Sequence, residues 1–288
     1  MFPNEHIDPV KIETSAKLAG GFRLFLSLTV QMESMPPEKA RPPSWNELPE
    51  QLKRSYTLEH AIPVKEFYLN DSAEQAPPVW STELIECDIV RAQELDANLA
   101  SRSYDAASVR DLYAAIARYP VASKSVLVVG SRNPWIEAVC LAFGAASVTT
   151  VDYNVPRCQH TRIRCIGMDE HLREEDVLYD RVFSFSSLEH DGLGRYGDPL
   201  DPGADLKSTC AIARRLAADG LLFLGVPMGV DRLEYNAHRI YGPVRWPLLV
   251  ADFDEVDAFS SGVPHAEFFD RDRTFNFQPW VVLRRHRQ

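Results

Sequence analysis

Positive charge is in short supply. Lys and Arg number 31 against 41 Asp and Glu, a net charge of -10 over 288 residues. A phosphate backbone recruits basic surface, so no nucleic-acid partner is expected. The one basic cluster, Arg284-Arg285-His286-Arg287, reads as a solvated tail. Cysteine is also scarce. Cys87, Cys140, Cys158, Cys165 and Cys210 form an odd set with no Cys-x-x-Cys pair, which argues against a disulfide framework or a zinc site and for a reducing compartment. Long apolar runs are missing. Phe22 to Val30 is broken by Arg23 and falls short of the roughly 20 residues a membrane span needs. The opening residues, with Glu5 and Asp8, lack the basic start and apolar core of a signal peptide. These absences predict a cytoplasmic protein with no membrane partner, and 45% hydrophobic with 25% charged residues suits a globular one.

Half of the proline sits early: ten of the 20 lie in the first eighty residues, including Pro36-Pro37, Pro42-Pro43 and Pro77-Pro78. Residues 1–82 therefore read as an extended, loop-rich arm without long helices or central strands. Its aromatics, among them Phe22, Phe25, Trp45, Phe67 and Trp80, call for a surface to pack on. Over 83–122 the apolar spacing turns helical, through Leu84, Ile85 and Ile89, then Val109, Leu112 and Ile116, predicting two lead-in helices.

Residues 123–288 carry an α/β alternation. Ser125 to Val129 is an apolar run of the kind buried on both faces of a parallel sheet. Asn133 then reads as an N-cap, Pro134 as the first helical residue and Gly144 as the stop. Ser147 to Val151 is a second strand ending at Asp152, which completes a βαβ unit. Further strands are predicted at 162–166, 181–186 and 221–226. A helix capped at Asp201-Pro202 should bury Leu206, Cys210, Ala213 and Ala217. The apolar runs Ala266 to Phe269 and Pro279 to Leu283 are expected to pair as a terminal antiparallel hairpin. The whole is a doubly wound, Rossmann-like sheet.

Ligands bind such sheets beyond the carboxyl ends of the strands. Gly130 stands at the first tip, where a missing Cβ lets backbone approach a ligand, and Ser131 follows it. With no second and third glycine, a tightly held pyrophosphate is disfavoured, and NAD or FAD with it. Asp152, 22 residues on, is placed to accept both hydroxyls of a ribose, with Tyr153 beside it. Asp169, past the third strand, could reach an adenine amino group or be a surface turn residue. Ser186 and Leu188 at the fourth tip complete the candidate cofactor set. Next come Glu189-His190-Asp191, where His190 is a candidate general base and Asp191 its neighbour. His238, from Asn236-Ala237-His238-Arg239, is expected to fold opposite His190. Arg239 and Arg245 could clamp an anionic acceptor or form surface ion pairs. These ligand types are scattered in sequence, and no metal site is expected.

Four stretches together resemble a known family: Val128-Val129-Gly130-Ser131-x-Asn133-Pro134-Trp135-x-Glu137, Val148 to Asn154, Phe183 to Pro199, and Asn236 to Pro243. Over roughly 123–247 the chain resembles the methyltransferase-like family catalogued as domain of unknown function 268. The resemblance implies a class I methyltransferase fold, whose seven-stranded sheet has an antiparallel last strand, and S-adenosylmethionine as cofactor. It supplies no catalytic residues. The expected function is methyl transfer to a small-molecule substrate with a polar acceptor group, such as a sugar or glycan hydroxyl. A non-catalytic binding or scaffold protein and an NAD-dependent oxidoreductase are the alternatives.

Overall fold

The computed structural model describes residues 41–71, 76–270 and 277–286, all within one unit, Lys39–Gln288. Most of the expected arm, with Phe22 and Phe25, lies outside the described residues. The chain runs α1 (Glu50–Tyr56), β1 (Val64–Phe67), β2 (Val79–Trp80), α2 (Thr82–Gln93), α3 (Ala106–Arg118), β3 (Ser125–Val129), α4 (Trp135–Ala142), β4 (Ser147–Val151), β5 (Arg157–Cys158) and β6 (Ile163–Ile166). It continues with α5 (Met168–Arg173), β7 (Tyr179–Phe185), α6 (Ala204–Arg215), β8 (Leu216–Gly225), β9 (Arg232–Asn236), β10 (His238–Ile240), α7 (Trp246–Leu249), β11 (Phe253–Phe259) and β12 (Trp280–Arg285).

The main sheet has seven strands in the order β11-β12-β8-β7-β3-β4-β6. β6, β4, β3, β7 and β8 are parallel, and β12 runs antiparallel to both β8 and β11. Strand alternation divides the core. Val126, Val128, Phe183, Phe223 and Val282 pack on one face with α2, α3 and α4, while Leu127, Val182, Leu222, Leu224 and Leu283 pack on the other with Ile212 of α6. The central strands β3, β7 and β8 are thus covered on both sides, which is why their buried stretches read as apolar runs. The lead-in helices start at side-chain caps, with Ser81 accepting the Leu84 N–H and Asp105 the Ser108 N–H.

Several expected details shift. α4 begins one residue late, with Pro134 at the cap position, because the Asn133 amide donates to Ser103 Oγ at 2.8 Å instead of capping. α6 begins at Ala204, since Asp201 Oδ1 accepts the Gly203 N–H at 3.0 Å in a local turn. It ends at Arg215, and Ala217 belongs to β8. The terminal hairpin joins β12 to β11, not to Ala266–Phe269. A short 3-10 turn at His265–Glu267 occupies that stretch and drops Phe268, fully buried, into the core. β11 was hidden by its carboxylates Asp254, Glu255 and Asp257, which an edge strand tolerates.

The insertion after β8 forms a second sheet, β1-β9-β10, in which β1 is parallel to β9 and β10 antiparallel to it. Residues 41–71 thereby join the main body, with Tyr56, Ile62, Leu233 and Tyr235 in one apolar cluster. A buried ion cluster fixes this insertion. Asp205 on α6 takes a two-pronged contact from Arg245, at 2.8 and 2.6 Å, a hydrogen bond from Tyr241 at 3.0 Å and the Arg239 guanidinium at 3.7 Å. Arg239 and Arg245 are therefore internal struts, neither anion clamps nor surface pairs. Removing Asp205 strands two buried guanidiniums, so Asp205→Ala should cost about 3–5 kcal/mol in urea unfolding. Lys207→Ala, which breaks an exposed pair with Asp201, should cost under about 1 kcal/mol. Equal losses would show that the cluster is not what holds the insertion.

Candidate functional site

The strand order reverses at β3. From there the chain goes outward through β4 and β6, then returns to place β7 on the other side. The crevice between the carboxyl ends of β3 and β7 is the switch point, where open α/β sheets bind ligands. Gly130 and the Ser186–His190 turn meet there.

Gly130 has φ +73°. A Cβ there would collide with the Ser187 side chain, so the loop after β3 and the turn after β7 are in direct contact. The next residue, Ser131, donates its N–H to Asp152 Oδ2 at 2.9 Å, and Asn154 N–H reaches Asp152 Oδ1 at 2.8 Å. Asp152 thus ties the tips of β3 and β4 together. Burial raises its pKa, opposed by those N–H donors. Tyr153 beside it is 60% exposed, a flat aromatic surface next to the carboxylate. Asp169 sits farther along, exposed in the first turn of α5. Gly130, Ser131, Asp152 and Tyr153 are brought together, and Asp169 stands one strand outward.

Beneath this loop lies Glu137, fully buried in an otherwise apolar α4. Its Oε1 accepts the Thr150 hydroxyl at 2.8 Å, while Oε2 has no hydrogen-bond partner. Burial pushes its pKa up to about 7. A lone charged residue inside the run Trp-Ile-Glu-Ala-Val-Cys-Leu-Ala was the sequence signal for this buried acid.

At the other wall, Ser186 is held at φ +52°, an unusual backbone state for a residue with a side chain, and its N–H donates to the Gly225 carbonyl at 2.9 Å. Leu188 points into the core, 1% exposed. Glu189 is fully buried, and neither of its carboxyl oxygens makes a hydrogen bond. Burial pushes its pKa up to about 8. His190 donates from Nδ1 to the Ala237 carbonyl at 2.7 Å, a contact that fixes the tautomer, and its Nε2 lies 3.7 Å from Glu189 Oε1. Burial, with help from Arg195, drops its pKa to about 3.

His238 stands against His190, ring centroids 6.3 Å apart and nearly perpendicular. Its Nε2 is 3.3 Å from Glu234 Oε2, yet burial outweighs that carboxylate and lowers its pKa to about 4. Asp191 turns the other way, accepting the Ser208 hydroxyl at 2.6 Å, and burial pushes its pKa up to about 7. Arg239 braces the whole turn by donating to the Asp191 carbonyl at 2.6 Å. Arg195, singled out by no sequence pattern, links the loop to Asp71 at 2.7 Å and to the Ala237 carbonyl at 3.2 Å. Among the described residues, no cluster of three or more His, Cys, Asp or Glu has metal-binding geometry, and no helix is long and apolar enough to cross a membrane.

This sheet order, with one antiparallel strand inserted beside β8, is the Rossmann-like arrangement of class I methyltransferases. The chain belongs to the family described as Caenorhabditis protein of unknown function, DUF268, whose model matches residues 123–278. No curated protein matches it in sequence. Among solved structures it is similar to Burkholderia thailandensis 1,6-didemethyltoxoflavin-N1-methyltransferase with bound 1,6-didemethyltoxoflavin and S-adenosylhomocysteine, at 20% identity over 70% of this chain and 89% of that one, with a TM-score of 0.46. It is also similar to the N-methyltransferase NodS from Bradyrhizobium japonicum WM9, at 13% identity over 62% and 94% of the two chains, with a TM-score of 0.43. A Streptococcus mutans protein assigned to the SAM-dependent methyltransferases shares 13% identity over 61% of this chain, with a TM-score of 0.40. The chain spans about half of that protein's length, 48%.

Glu137 yields a stability test. The folded chain keeps its proton up to about pH 7, whereas the ordinary value is 4.5. The folded state therefore binds more protons in between, so this contribution is complete below about pH 4.5 and is lost as pH rises toward 7. Glu137→Gln removes that slope, which amounts to at most about 3 kcal/mol between pH 5 and 8 by chemical denaturation. An unchanged slope would mean that the carboxyl is already ionised in the folded chain.

Proposed function

We propose that this protein is an S-adenosylmethionine-dependent methyltransferase acting on a small polar acceptor, with a sugar or glycan hydroxyl as the leading class. The observation that carries the reading is the Ser131–Asp152 link at the switch point. Each Asp152 oxygen has accepted one backbone N–H, which leaves lone pairs for the two hydroxyls of a ribose. In this reading Gly130 and Ser131 line the amino-acid end of the cofactor, Tyr153 offers its exposed ring to the adenine, and Asp169 its carboxylate to the adenine amino group. Ser186 closes the site from the β7 side, and Leu188, with its side chain in the core, backs it from within. The bound cofactor supplies an electrophilic methyl group.

The chain's own residues must then take the acceptor's proton. His190 is the first candidate, with Asp191 beside it: burial sets the Asp191 pKa near 7, and its carboxylate is bonded to the Ser208 hydroxyl. Burial keeps the His190 and His238 rings neutral, the form in which an imidazole can accept a proton. A reducing interior and a cytoplasmic location go with the same reading.

Calorimetric titration with S-adenosylmethionine, S-adenosylhomocysteine and NAD tests it. The first two should bind and NAD should not. Asp152→Ala should weaken S-adenosylhomocysteine binding by about 10- to 100-fold, the worth of a charge-assisted hydrogen-bond pair. Binding of NAD alone would favour an oxidoreductase. Failure of all three to bind would leave a binding or scaffold protein.

A further inference from the structure

Glu189 is the polar group this fold leaves least explained. Its side chain is fully buried, and neither carboxyl oxygen has a hydrogen-bond partner. A buried carboxyl with nothing to bond costs stability in either protonation state, so such a group points to a ligand that completes it. Its place says which ligand. Ser187, two residues earlier, is pressed against Gly130, so the Glu189 turn packs directly on the loop after β3 at the switch point. Ser186, which opens that turn, is held in a left-handed backbone state, an outlier of the kind that clusters at functional sites.

We infer, resting on the methyltransferase reading, that Glu189 is the counter-charge for the cofactor's sulfonium. Its carboxyl gives its proton to water when that cation enters the crevice and keeps it when neutral S-adenosylhomocysteine binds. The step balances simply: the carboxyl O–H breaks, the proton leaves to buffer, and the carboxylate faces the positive sulfur.

The charged and titratable groups around the carboxyl set the starting state. Burial opposes ionisation most, the residue's own backbone N–H and the nearby Ser186 hydroxyl favour it, Asp191 opposes it and Arg195 favours it. His190, 3.7 Å away, is kept neutral by burial and so adds no positive charge. Arg239 donates to the Glu189 backbone carbonyl at 3.4 Å, not to the carboxyl. Tyr104 and Tyr241 from two other segments, and Tyr196 from the same loop, lie close enough to feel the Glu189 charge. Burial dominates this balance, and the free protein holds the proton at neutral pH. A cation arriving in a water-poor crevice tips it.

Two probes that differ by one methyl group and one charge read this directly. Calorimetry at pH 6.5, run in phosphate and in Tris, counts the protons exchanged. The wild-type chain should release close to one proton per S-adenosylmethionine and close to none per S-adenosylhomocysteine. Its affinity for the first should rise by up to ~10-fold per pH unit below pH 8, while affinity for the second stays flat. Glu189→Gln, a neutral isostere of the protonated acid, should abolish both the release and the slope. On the wild-type chain alone, the infrared carbonyl band of the buried acid should vanish with S-adenosylmethionine and persist with S-adenosylhomocysteine. Equal proton release for the two ligands, or release that survives in Glu189→Gln, overturns the inference and leaves the methyltransferase reading standing. If neither ligand binds, both fall together.

Discussion

Asp205 is the point on which the site's geometry hangs. Its carboxylate, fully buried in the first turn of α6, gathers Arg245, Arg239 and Tyr241 from the insertion that follows β8. Arg239 in turn reaches across to the Asp191 carbonyl. One carboxylate therefore fixes a helix, the second sheet and the turn that carries Glu189, His190 and Asp191. Two guanidiniums around one acid leave a local excess of positive charge, which keeps Asp205 ionised against its burial. Backbone carbonyls absorb much of the remaining donor capacity, at Pro202 for Arg245 and at Asp191 for Arg239. Such a cluster is costly to build, and it specifies one arrangement of the loops where a purely apolar contact would admit several.

Around that anchor the two walls of the crevice have opposite character. The β3–β4 wall is satisfied: Asp152 is hydrogen-bonded to two backbone N–H groups and remains partly open. The opposite wall, from the turn after β7 and from β10, holds groups shifted by burial, two imidazoles below their usual range and two carboxyls above theirs. An environment of that kind amplifies any charge brought into it, whereas the open wall can bind polar hydroxyls at little electrostatic cost. This division matches a cofactor with a hydroxyl-rich end and a charged, reactive end.

The sequence made the parallel strands legible because burial on both faces leaves no polar residue to interrupt them, as in Ser125–Val129 and Leu221–Leu224. Asp152 was legible from its spacing to Gly130. Charge networks were not, because nothing in the chain states that Asp205 will meet Arg239 and Arg245 some forty residues later, and the three look like surface or ligand-binding groups. Glu189 and Asp191 are equivalent in sequence; they differ in what the fold presents to them, a hydroxyl from Ser208 in one case and no hydrogen bond in the other. The terminal hairpin was half legible. β12 is apolar and easily seen, while its partner β11 is coded by alternating acids that resemble a loop.

Those acids have a consequence for the sheet as a whole. Among the described residues β11 is its last strand on that side, and an open strand edge is a template on which a further strand can grow. Here Asp254 and Glu255 are exposed and Asp257 is half-buried, with Arg118 paired to Asp257 and the His265 and His286 rings set against Glu255 and Asp254. A second copy aligned along this edge would set carboxylates against carboxylates. The row of negative charge that concealed the strand is also what ends the sheet at seven.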